Sequence, residues 1–313
     1  MNCNACIDTL ISCICENEYN FFFSKANVAG VGLGYKVRNG FTICQKCIVV
    51  FVTLKLPSND IPEKDLVPAI YRGIPTDVVQ SGIMSIDSNI LCNNFNLNKP
   101  LSKKIRPVLG GYSISIVTKN AAATMGCVVT DNKDNYMLSN NHVLADLNAA
   151  PLGTLVVQPG VLDGGKSPKD IVGSLSEYVP LSFKDTNLVD CAIAKVLNKK
   201  NVSAKIALTK GPKGVISPKF GQNVKKVGRT TALTTGKIVG VKTTYRFKIK
   251  GEDILFRNQI IADIITEPGD SGSILLSDND YAIGLIMTGG GGKSVINTIS
   301  DVLNSLNVNL VTV

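Results

Sequence analysis

Residues 267–276 read EPGDSGSILL, a Gly-Asp-Ser-Gly cluster opening onto an apolar run. Clusters of this kind ordinarily make turns, because Gly supplies positive φ and Asp and Ser bond their own backbone. Ser271 is more than a turn residue only where the rest of the chain supplies a base to activate it and an acid to orient that base. The chain contains one histidine, His142, in YMLSNNHVLAD, where a strand-like run ends in Asn140-Asn141 and a short helical stretch begins. Downstream, NLVDCAIAKV puts Asp190 at the entry of a strand with alternating apolar positions. A carboxylate there is costly to bury unless it is paired or hydrogen-bonded. Asp170 and Asp185 lie nearby and compete for the same role.

The bulk of the chain favours short strands. At 313 residues there is room for two or three domains. Hydrophobic residues make up 44%, aromatic residues only 6%, and Trp is absent, while β-branched residues and Gly are abundant. The opening MNCNACIDTLISCICENEYN lacks a basic start and a small-residue cleavage site, so it does not read as a secretory signal. No apolar stretch approaches the roughly 20 residues of a membrane helix. These features set the expectation of a cytoplasmic protein without a membrane partner.

The net charge of +9 is spread over Lys103-Lys104, Lys199-Lys200, Lys225-Lys226 and single positions. Aromatic residues do not interleave with these as a single-strand-binding surface needs, so no nucleic-acid partner is expected. Nine cysteines form an odd set concentrated near the N-terminus, which reads as free thiols rather than a disulfide framework. Cys3-x-x-Cys6 with Cys44-x-x-Cys47 is the one alternative, a four-thiolate zinc site. Cys13 and Cys15 confuse that pairing, and Cys44 and Cys47 flank an apolar strand, so neither metal nor cofactor is expected.

Along the chain, residues 1–25 read as a Cys-rich leader with a short helix. Residues 26–85 read as a small α/β domain: VAGVGLGYK and CIVVFVTLKL flank the hairpin signal Asn39-Gly40, and IPTDVVQSG adds a third strand. The Asn-rich, basic stretch within 86–104 marks a linker. From about residue 105, short strands alternate with Gly, Pro, Asn and Asp turns, as in antiparallel barrels or sandwiches. The end, SVINTISDVLNSL, carries apolar residues at helical spacing and is read as a closing helix.

The order His142, Asp190, Ser271 is that of chymotrypsin-type proteases. LSNNHVLA, VDCAIA and EPGDSGS resemble the three signature blocks of trypsin-like serine peptidases, and SNNHV is especially similar to the bacterial high-temperature-requirement form. KVGRTTALTTGKIVGV resembles the strand-turn-strand that leads into the second barrel of such enzymes. The segment from VAGVGLGYK to IPTDVVQSG resembles the leader domain of a bacterial family with narrow-leaf-type plant relatives. The resemblance covers residues 105–310. It implies a mostly β fold with two antiparallel β-barrels, the first over 105–205 with His142 and Asp190, the second over 206–313 with Ser271 and a C-terminal helix.

In that reading Ser271 is the nucleophile, His142 the general base and Asp190 the group that fixes the imidazole. Backbone N–H groups of Gly269 and Ser271 would face the oxyanion, and Asp270 would shape their loop. The position matching the trypsin pocket acid is Ile265. With Thr266, Met287, Thr288 and Gly289 it implies a small, mildly polar substrate pocket, and Gly289–Gly292 would form a mobile wall. VLGGYSI, residues 108–114, resembles the start of mature trypsins, so cleavage before Val108 would free an amine to pair with Asp270. Partners are a protein or peptide substrate and a regulatory protein acting through the N-terminal domain. Relatives of this kind are implied to act in bacterial defence, cutting a dedicated protein after a sensor signals. Two other readings are a non-catalytic module that keeps the fold for binding, and an esterase using the same three residues.

Overall fold

Strands separated by turns account for most of the chain, in a computed structural model that describes residues 3–86, 99–249 and 251–313. Residues 87–98, most of the expected linker, lie outside that description.

The later half closes a ring. Strands Asn223–Gly228, Ile274–Ser277, Ala282–Gly290, Lys293–Thr298, Glu252–Asp263 and Ala232–Ile249 are hydrogen-bonded in that order, and the first pairs back with the last. Val224, Ile238, Ile260, Leu275 and Ile286 fill its interior. A second, eight-stranded sheet is built mainly from residues 113–196 around Ile114, Val128, Met137, Val156 and Val172. The C-terminal pair Asn309–Leu310 returns to it beside Val129 and Thr130. Cys127, Leu138, Cys191, Ile274, Leu285 and Ile299 form a core between the two. The expected mostly β, two-barrel architecture is found.

The N-terminal strands extend the second barrel's sheet instead of forming their own. The hairpin Ala232–Ile249 with Glu252–Asp263 runs past the barrel and leaves an edge. Such edges are normally paired or covered. Here Val28–Arg38 covers it, with Gly30 opposite Tyr245 and Val31 opposite Thr244. The glycine alternation in VAGVGLG follows from this contact. A Cβ on Gly30 would stand 2.5 Å from Tyr245 Cδ2, and one on Gly32 would overlap the Thr243 hydroxyl. Val28–Arg38 then turns at Asn39 and Gly40, both at positive φ, into Phe41–Val52, as the Asn-Gly signal predicts.

The leader is not apart from these strands. Its helices Cys3–Asn17 and Tyr19–Phe23 bury Ile11, Ile14, Cys15 and Phe22 in one core with Val31, Ile48 and Val50. The Thr244 hydroxyl donates to Cys15 O at 2.7 Å, tying the leader to the long hairpin.

One boundary differs from the periodicity reading. Lys293–Thr298 is a strand, and the closing helix starts only at Ile299. Val295 and Ile296 are β-branched and pair with Ile261 and Ile260, so tertiary pairing overrides a spacing that also fits a helix. Among the described residues no helix is long and apolar enough to cross a membrane.

Candidate active site

His142 lies in the four-residue helix Asn141–Leu144, directly after strand Asn135–Ser139. Its preceding asparagines hold the turn: Asn140 Nδ2 donates to Asp190 O, and Asn141 Nδ2 to Asn148 Oδ1 and Val179 O. The imidazole Nδ1 lies 2.5 Å from Asp190 Oδ2, while the His142 backbone N–H donates to Asp190 Oδ1 at 3.2 Å. Asp190 is fully buried, and its own N–H donates to Asn297 Oδ1 at 2.9 Å. The competing carboxylates are engaged elsewhere. Asp170 pairs with Lys104 at 2.5 Å, which holds its carboxyl below the usual range, and Asp185 accepts from the Ser182 hydroxyl.

Ser271 sits in the turn that precedes Ile274–Ser277. Gly269 (φ +99°) and Gly272 (φ +92°) adopt backbone that L side chains avoid, and a Cβ on either would overlap Thr230 or Ser139 and Thr124. Thr124, from the other barrel, clamps this turn: its N–H donates to Ser271 O at 2.9 Å and its hydroxyl to Gly269 O at 2.7 Å. Among the described residues, the N–H groups of Gly269 and Ser271 meet no acceptor. The Ser271 hydroxyl donates to Met287 O at 2.9 Å, and His142 Nε2 has no hydrogen-bond partner among the described residues. Both side chains open into one cleft.

Asp270 is the hub beneath that turn. It accepts from the N–H groups of Thr230, Thr231 and Glu267, from the Thr231 hydroxyl at 2.7 Å, and from Lys226 Nζ at 3.1 Å. Lys226 and Asp270 are both fully buried. Burial pulls the Lys226 ammonium below the ordinary lysine value, and Asp270 draws it back up. This corrects the expectation of a freed amine at Val108. Asp270 already has its cation, and Val108 is buried in a strand paired in parallel with Val202–Ile206.

The cleft is small, with about 70 Å³ of room. Thr266, Thr288 and Gly289 line it. A Cβ on Gly289 would stand 2.7 Å from Thr266 Cβ, so the slot between them is narrow. Ile265 does not line it: the residue is 58% exposed, while Thr266 beside it faces the cleft. The Met287 side chain is also elsewhere, fully buried in a core with Tyr245 and Phe256, and only its carbonyl reaches Ser271. Of the four glycines 289–292, only Gly289 lines the cleft; Gly291 and Gly292, at positive φ, make the following turn. The zinc alternative needs Cys3, whose side chain lies outside the description; among the described residues no metal-holding cluster occurs.

Sequence reasoning missed Lys226, Thr124 and Asn297. Lys226 had a signal, since alternation in NVKKVG puts it on the same inward face as Val224. Thr124 and Asn297 act through contacts with segments far off in the chain, and nothing local marks them.

No family model matches the chain, and no curated protein matches it. Solved structures do. Thermobifida fusca protease A is similar at 19% identity and a TM-score of 0.51, over 66% of this chain and 99% of that one. A Nocardiopsis protease is similar at 18% identity and a TM-score of 0.50, over the same shares. At these identities the likeness shows a common fold.

Proposed function

We propose, from the chymotrypsin fold of this chain, that it is a serine endopeptidase with Ser271 as nucleophile, His142 as base and Asp190 as the orienting acid. The observation that carries this reading is the His142–Asp190 pair, 2.5 Å apart, with His142 in the same cleft as Ser271 and two unpaired backbone N–H groups.

The chemistry follows from the geometry. Asp190 accepts from Nδ1–H, which leaves Nε2 unprotonated and able to take the Ser271 proton. For that, the Ser271 hydroxyl leaves Met287 O and turns to His142. Its oxygen then bonds to the substrate carbonyl carbon, and the carbonyl electrons move onto oxygen, facing the N–H groups of Gly269 and Ser271. Collapse breaks the C–N bond as His142 returns the proton to the leaving amine. Water, deprotonated by His142, then attacks the acyl carbon and releases Ser271. Thr266 and Gly289 limit the side chain before the scissile bond to a small one. No metal or organic cofactor enters any step.

The free cysteines among the described residues fit a reducing compartment such as the bacterial cytoplasm. We further assign the enzyme a dedicated protein substrate and a controlling partner at the N-terminal region. The test is a fluorophosphonate probe on the parent and Ser271→Ala, read by intact mass, followed by peptide and ester substrates. An adduct on the parent alone, with peptide hydrolysis, supports the reading. Ester turnover without peptide cleavage means an esterase. No adduct on either chain, with binding to a partner retained, means a non-catalytic module.

A further inference from the structure

Two residues from outside the two barrels line the cleft beside His142 and Ser271: Ser85 and Ile86. They follow strand Ile74–Gln80, the last long strand of the N-terminal region, and they stand next to the slot formed by Thr266, Thr288 and Gly289. The Thr288 hydroxyl donates to Ser85 O at 2.6 Å, so the segment is fixed directly to the slot's own wall.

The segment is built in along its whole length. The Ser81 N–H donates to Val52 O at 2.7 Å, and the Ser81 hydroxyl lies 2.9 Å from the Tyr245 hydroxyl. Gly82 meets Gly291 so closely that a Cβ on Gly82 would stand 2.8 Å from Gly291 Cα, and a Cβ on Gly290 would overlap Ile83 O. Ser85 bridges in parallel to Lys248 on the long hairpin. Met84 and Ile86, each 6% exposed, are packed in one core with Tyr245, Phe247 and Met287.

We propose that Ser85 and Ile86 form the wall that selects the substrate side chains upstream of the scissile bond, favouring apolar ones. The inference rests on the proteolytic reading above. A peptide acylating Ser271 puts the side chain of its reacting residue in the Thr266–Gly289 slot, and on this proposal its preceding residues run along the side of that slot where Ser85 and Ile86 stand. Ile86, largely buried, is the apolar residue of the segment where it lines the cleft, and the Ser85 carbonyl is occupied by Thr288. A displaceable plug would have few anchors; two buried apolar side chains and a run of backbone contacts make this a permanent wall. The N-terminal region is thereby part of the specificity site and not an appendage to it.

The test compares the full chain with Ile86→Ala and Ile86→Val. The probes are peptidyl diphenyl phosphonates that share the residue at phosphorus and differ only at the next two upstream positions. A simple alkyl fluorophosphonate, too short to reach the wall, reports on Ser271 itself. The parent is expected to react about tenfold faster with apolar than with acidic upstream residues, and Ile86→Ala to lose most of that preference. Each variant's rates with the peptidyl probes are divided by its own rate with the simple probe, so that a change at Ser271 itself is separated from a change in ranking. If Ile86→Ala also slows the simple probe, Ile86→Val, one methylene smaller, carries the comparison, with a shifted ranking supporting the wall. An unchanged ranking in a variant that still labels overturns the wall alone. Failure of the simple probe to label the parent overturns the proteolytic reading and the wall with it.

Discussion

Lys226 and Asp270 face each other across 3.1 Å with no exposed surface on either side chain. Four further groups, the N–H groups of Thr230, Thr231 and Glu267 and the Thr231 hydroxyl, donate to the same carboxylate. Removing one partner of a buried ion pair strands the other charge, at a cost of about 3–5 kcal/mol. Lys226→Met should therefore lower the melting temperature markedly and abolish fluorophosphonate labelling. Lys226→Arg, too large for the site, should not rescue it. Thermal unfolding beside adduct mass checks both, and a stable, fully labelled Lys226→Met would show that the loop holds without its cation.

Asp190 should matter for chemistry more than for fold. Asp190→Asn keeps the shape but offers His142 the wrong hydrogen-bonding partner, and the corresponding change in a serine protease costs about four orders of magnitude in turnover. The same loss is expected here with peptide substrates, measured as kcat/KM. Asn297→Ala, which releases the Asp190 backbone N–H, should give a smaller loss in the same direction.

Gly269 tests the proposed oxyanion site. An alanine there is strained at φ +99° and collides with the Thr230 hydroxyl. Gly269→Ala should cost about a hundredfold or more in turnover, the usual size of one lost donor. Pairing it with Thr230→Ala relieves the collision but not the φ, so the double variant should remain impaired.

The cysteines give a reactivity map. Burial pushes the Cys47 and Cys127 thiols up to about 12 and raises Cys15 and Cys191 as well, so at neutral pH they hold their protons. Cys6, Cys13 and Cys44 are exposed. Brief iodoacetamide treatment and peptide mapping should modify these three and spare the four buried ones. Early alkylation of Cys127 or Cys191 would contradict the packing between the barrels.

The two barrels should not survive alone. A chain begun at residue 99 uncovers the edge of Ala232–Ile249 and the faces of Tyr245 and Phe247. It is expected to be insoluble or to unfold at much lower denaturant than the full chain, whose transition should be a single step over both regions.

The barrels and the Ser271 turn were legible because they rest on local signals: alternation, turn residues and one histidine in a particular setting. The pairing of Gly30 with Tyr245 was not, since contacts across more than two hundred residues leave no local trace beyond the glycine alternation. Ile265 was misplaced because assigning it by position ignored the direction its side chain takes. Lys226 was counted only among the scattered positive charges, although its inward strand position was visible.

The pairing of Val28–Arg38 with Ala232–Ile249 also sets an order of events during synthesis. Sheet contacts between distant segments form late, after the loop between them is closed. Val28–Arg38 waits for Ala232–Ile249, so the leader core and the Ser85–Ile86 segment beside the cleft stay incomplete until that later strand is made. A cleft assembled this way is incomplete in the nascent chain, and any product ending before residue 271 lacks Ser271 altogether.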